Sequence, residues 1–150
     1  MSGVPQENVD DSNGYARPER MLRDDRASTE LLGMDVTEMS EGHAVVTMTV
    51  REDMLNGHSI AHGGLIFTLA DTAFAMACND ESTVTVSTGA EIFFFAPGHV
   101  GDLLTATAKL RSKRGRNGIY DVEVRNEAGL VAEFRGHSRT VPADQVRKKD

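Results

Sequence analysis

Residues 65–78 read L-I-F-T-L-A-D-T-A-F-A-M-A-C, a run apolar on almost every side of a helix and interrupted by one charge, Asp71. A helix with no polar face has to be buried. A carboxylate inside it costs on the order of several kcal/mol unless something repays it. Immediately upstream, H-G-G at 62–64 places small, flexible backbone and open N–H groups where the helix begins. A helix start able to hold an anion, followed about two turns later by a buried acid, has the layout of half an active site.

Outward from this helix the pattern changes period. Downstream, the β-branched and aromatic stretch 83–95 halts at Pro97-Gly98, 101–113 and 118–126 alternate, and Glu127-Ala128-Gly129 turns the chain into 130–141. R-G-R-N-G at 114–118 carries hairpin chemistry. Upstream, Ala44, Val46, Met48 and Val50 alternate with His43, Val45, Thr47 and Thr49, which predicts a strand over 43–51. N-G-H-S-I-A-H-G-G at 56–64 is turn-rich, and P-E-R-M-L-R-D-D-R opens with proline and acid, so a short helix is expected over 18–26. Residues 1–17 hold too little apolar surface to offset the entropy of ordering them and are expected to be a disordered tail, with a polar C-terminal tail over 142–150. The expected domain is therefore 18–141, of class α+β: one long central apolar helix wrapped by a curved antiparallel sheet of about five strands. Such a small sheet leaves open edges, and pairing an edge with a second copy predicts a homo-oligomer.

Composition narrows the function. At 150 residues the chain suits one core. Its single Cys78 excludes an intramolecular disulfide framework and reads as a reduced thiol with a packing role. No signal-peptide pattern opens the chain and no run reaches the roughly 18 apolar residues of a spanning helix, so a cytoplasmic protein without a membrane partner is expected. A net charge of −7 argues against a general nucleic-acid partner. His58 and His62 lack the Glu of H-E-x-x-H, G-H-S-I-A at 57–61 lacks the last glycine of a nucleophile elbow, and Gly63-Gly64 is not a dinucleotide fingerprint.

The run H-G-G-L-I-F-T-L-A-D-T-A-F-A-M-A-C-N at 62–79 resembles the central-helix motif of the hotdog-fold acyl-CoA thioesterases, most closely the phenylacetic-acid-degradation type. The likeness continues through F-F-A-P-G at 94–98, G-D-L-L-T-A-T-A at 101–108, G-I-Y-D-V-E-V at 118–124 and F-R-G at 134–136, and covers about 28–141. It implies a homodimer or homotetramer that hydrolyses acyl-CoA at sites on the dimer interface, with no metal and no cofactor beyond the coenzyme A of the substrate. It also implies roles. The Gly63 N–H would polarise the thioester carbonyl, and Asp71 from the neighbouring subunit would activate water or attack. Asn56 and His62 would assist, and Ser87 or Thr88 would lie near the water.

The chemistry agrees with those roles. Charge growing on a thioester oxygen is held well by a free N–H at a helix start in a dry site, and glycine permits close approach. Other readings stand beside them. Asp71 could be a structural acid hydrogen-bonded to backbone at the dimer contact, His62 could cap or orient the loop, and Asn56-Gly57 is also an ordinary turn dipeptide. Arg111, Lys113, Arg114 and Arg116 suit coenzyme A phosphates but equally a solvated hairpin, with Arg111 and Arg114 the leading candidates. Met54, Leu55, Phe67, Phe74 and Phe93 to Phe95 could line an acyl pocket or form core. A hotdog hydratase or dehydratase and a non-catalytic acyl-CoA-binding domain are the alternative functions.

Overall fold

In a computed structural model, which describes residues 18–80, 83–142 and 146, the apolar run becomes a helix of 16 residues, Gly63–Cys78. Before it come a short helix α1 (Pro18–Asp24), a π-helical turn (Ala27–Leu31), strands β1 (Asp35–Ser40) and β2 (His43–Thr49) and a 3-10 turn (Glu52–Met54). The long helix is α2, and β3 (Val84–Phe94), β4 (Leu103–Arg114), β5 (Asn117–Asn126) and β6 (Gly129–Val141) follow it. The six strands form one antiparallel sheet in the order β1-β2-β4-β5-β6-β3. The expected tail over 1–17, and that over 142–150 apart from Pro142 and Val146, lie outside the described residues.

The expected α+β hotdog architecture is present, with one strand more than the sequence pattern marks. That strand is β1, where only Val36 and Met39 are partly covered and the register slips between Val36 and Glu38. A bulge breaks strict alternation, which is why D-V-T-E-M-S does not read as a strand. The helix expected over 18–26 also stops at Asp24, and the chain continues as the wider π-helical turn.

The sheet wraps α2. Most inward positions of β2, β4 and β5 are small or β-branched, Ala44, Val46, Ala106, Ala108, Val122 and Val124, and all six are buried. Small residues let the helix approach, and Gly136 on β6 shows how closely: a Cβ there would lie 2.8 Å from the Phe74 ring. Phe74 fills the space between α2 and the sheet, with its ring centroid 5.4 Å from Tyr120 and 5.9 Å from Phe134. Burying a side chain of that size contributes about 1.5–3 kcal/mol. Among the described residues no helix is long and apolar enough to cross a membrane.

Candidate active site

The start of α2 is built by its cap. His62 holds extended backbone (φ −62°, ψ 128°), and its Nδ1 accepts the Gly64 N–H at 2.9 Å. The neighbouring Gly63 N–H, one of the donors a helix start leaves unsatisfied, has no acceptor among the described residues. The loop ahead of it is pinned at both ends: Leu55 bridges Ala61, and the His62 N–H donates to the Met54 carbonyl at 2.9 Å. Inside that loop Asn56 Oδ1 accepts the His58 N–H at 2.9 Å and the Ile60 N–H at 3.4 Å, so this atom shapes the turn and the amide nitrogen remains for other partners. Phe94, at the end of β3, lies over the helix start, where a Cβ on Gly63 would come within 3.1 Å of its ring.

Asp71 sits in the middle of α2, half-buried, with no hydrogen bond or ion pair to any described residue. Burial first, and the Asp25 carboxylate second, hold its pKa above the usual aspartate value. Within its own chain, then, the carboxylate has no structural hydrogen bond among the described residues. Eight residues of helix rise about 12 Å, so Asp71 and the Gly63 N–H of one chain cannot both reach the same carbonyl.

A hydrogen-bonded chain next to Asp71 is not legible in the sequence. Ser28, buried, donates its hydroxyl to Asp25 Oδ2 at 2.9 Å and its N–H to Oδ1 at 3.0 Å, and its Oγ lies 2.9 Å from Thr72 Oγ1 on α2. Forty-four residues separate Ser28 from Thr72, so no local spacing signals the contact.

The remaining candidates fall into three groups. Ser87 and Thr88 are exposed on β3, at a register shift, with Thr88 Oγ1 donating to the His137 carbonyl at 3.2 Å. Arg111 lies 3.8 Å from Asp121, whose carboxylate already accepts two bonds from Arg135 at 2.7 and 3.0 Å. Arg114, exposed at the β4–β5 turn, has no ion pair among the described residues. Of the apolar candidates, Met54 and Phe74 are core, Phe67 packs edge-on against Phe134, and Phe93, Phe94 and Phe95 are 62%, 51% and 59% exposed. Cys78 is buried, and desolvation pushes its thiol up to about 12.

The model of the thioesterase superfamily matches residues 58–133, from the capping loop to β6. The chain belongs to the thioesterase superfamily. Among relatives of this thioesterase chain, the acyl-coenzyme A thioesterase PaaI of Escherichia coli (strain K12) is 49% identical over 116 residues, 77% of this chain and 83% of the relative. The solved structure of the E. coli PaaI protein from the phenylacetic acid degradation operon superposes with a TM-score of 0.80 at 45% identity, over 87% of this chain and 95% of that one. A hypothetical thioesterase protein from Streptococcus pneumoniae TIGR4, solved with coenzyme A, matches with a TM-score of 0.68 at 26% identity, over 72% of this chain and 88% of that one.

Proposed function

We propose that this chain hydrolyses acyl-CoA thioesters, with phenylacetyl-CoA or a hydroxylated relative as the favoured substrate, in a site that two copies of the chain build together. The carrying observation is Asp71: a half-buried carboxylate with no partner among the described residues, on a helix whose start leaves the Gly63 N–H without an acceptor among them but about 12 Å away. A second copy brings its own helix start to the first copy's acid. The identity to an acyl-CoA thioesterase supports the reaction, and the coenzyme A bound in a related structure supports the ligand.

The steps follow from charge. Asp71 takes a proton from a water whose oxygen adds to the thioester carbon, and the oxygen that becomes negative is held by the other copy's Gly63 N–H. Collapse breaks the carbon–sulfur bond, the thiolate leaves, and the proton returns from Asp71 or solvent to give free acid and coenzyme A. His62 orients the loop by capping it, Asn56 offers its amide nitrogen, and Ser87 and Thr88 face the water from the edge strand. Arg114 is the freer phosphate donor, since Arg111 is drawn to Asp121. The reaction needs no resident cofactor, and a cytoplasmic location belongs to the same proposal.

Asp71 has to be ionised to act, so kcat/KM falls as pH drops through its raised value. The stability sign is opposite. A native state that binds this proton more tightly than the unfolded chain loses stability as pH rises from the ordinary aspartate value through the raised one. The charge thus costs stability at neutral pH, and Asp71→Asn removes that cost.

The test is thiol release from phenylacetyl-CoA by the wild type and Asp71→Asn. The expected result is turnover in the wild type and a loss of about 10²–10³-fold in the variant, with a Tm no lower than the wild type at pH 7. Unchanged turnover in the variant, hydration of an enoyl-CoA without thiol release, or binding without hydrolysis overturns the reading.

A further inference from the structure

The N-terminal arm, α1 and the π-helical turn, contributes one acid to the neighbourhood of Asp71. Asp25 lies between the two and accepts both the N–H and the hydroxyl of Ser28. Ser28 reaches Thr72, the residue after Asp71, at 2.9 Å. The proton count gives this chain a direction. Ser28 has one hydroxyl hydrogen, and the carboxylate is the stronger acceptor, so it goes to Asp25. The Thr72 hydroxyl donates to the Thr68 carbonyl at 2.8 Å, so its one hydrogen is shared between that carbonyl and the Ser28 oxygen 2.9 Å away. A buried, satisfied polar network of this kind fixes the groups it joins.

We propose that Asp25 is a positioning residue for the reaction: clamped through Ser28 onto Thr72, it holds a second carboxylate beside Asp71 and so tunes the proton transfer that Asp71 performs. This rests on the hydrolase reading above.

The surroundings leave Asp25 as the main charged influence. Positions of β2, β4 and β6 facing α2 are uncharged, β1 contributes Val36 and Met39, and β3 contributes Ile92. Among the described residues the titratable groups packed at the helix are Tyr120 from β5 and Cys78 on α2 itself, both neutral since burial pushes each up to about 12, and the charges of Lys113, Glu41 and Asp80 act at that Cys78–Tyr120 end. Arg26 and Glu30 on the arm pair with each other at the surface. A like charge held nearby favours the protonated form of Asp71, and a more basic carboxylate removes a proton from water more readily.

The experiment titrates the Asp71 side-chain carboxyl by carbon-13 NMR in the full chain, wild type against Asp25→Asn, with Asp25→Glu as the rescue. Removing the charge moves the Asp71 midpoint to lower pH, and glutamate returns it toward the wild type. In phenylacetyl-CoA hydrolysis the acid limb of kcat/KM moves to lower pH for Asp25→Asn while its plateau falls by about two- to fivefold. A merely structural role lowers activity without moving the limb. Ser28→Ala, which frees the clamp, shifts the midpoint in the same direction and serves if Asp25→Asn does not fold. Coincident midpoints in wild type and folded variants overturn this inference alone, whereas a wild type that releases no thiol overturns the hydrolase reading.

Discussion

The two edges of the sheet differ in the way an open and a closed surface differ. β1 is six residues long, bulged between Val36 and Glu38, and carries Asp35, Glu38 and Ser40 outward. Short, bulged and charged edges resist pairing with another chain. β3 has 11 residues, positions 87–91 are exposed, and it ends in Phe93 and Phe94 with Phe95 just beyond. Among the described residues only the register shift between Ser87 and Gly89 and the single charge of Glu91 interrupt it. The open edge also carries the ring that lies over the Gly63 position. One edge is therefore finished within the chain, and the other is the open edge that the proposed second copy would take.

The largest effect is expected from charging the open edge. Ala90→Lys, at an exposed position in the middle of β3, should give a monomer by sedimentation velocity and a loss of activity of about 10²-fold, because Asp71 and the Gly63 N–H part with the dimer. Thr37→Lys at the β1 bulge should leave both mass and activity near the wild type. An active Ala90→Lys monomer would break the comparison. Gly63→Ala is expected to cost about tenfold in kcat with association intact, since the added Cβ presses on the Phe94 ring at 3.1 Å and narrows the approach to the N–H. Steady-state kinetics beside sedimentation separate the two effects. Smallest of all, Arg114→Ala should raise KM by about two- to fivefold with kcat unchanged, as expected for loss of one exposed phosphate contact far from either edge. An unchanged KM would make that hairpin a solvated surface.

Most of the fold was legible because its signals are local. The all-round apolarity of 65–78 marks a buried helix, and alternation marks β2, β4, β5 and β6, each of which has one face on α2. β1 escaped because its bulge breaks the period, so its pairing with β2 decides its conformation. The site divides in the same way. Gly63, His62 and Asp71 stand out by type and spacing along one segment, and their placement on α2 and its cap follows directly. Asp25 and Ser28 do not, since D-D-R-A-S looks like the end of a polar helix, and its importance arises only when tertiary packing brings it to Thr72. Arg111 shows the converse. It reads as a free cation in sequence, yet from the register shift between Leu110 and Ser112 it lies 3.8 Å from Asp121, whose partner across β5–β6 is Arg135.

The chain's one cysteine bears on how its turnover is read. Cys78 is 8% exposed and stays protonated through the neutral range. Nucleophilic sulfur is the thiolate, so a chromogenic disulfide reagent present during the reaction draws its colour from released coenzyme A, and a protein blank stays flat for as long as the core is closed. A blank that develops colour with time reports unfolding in the same cuvette.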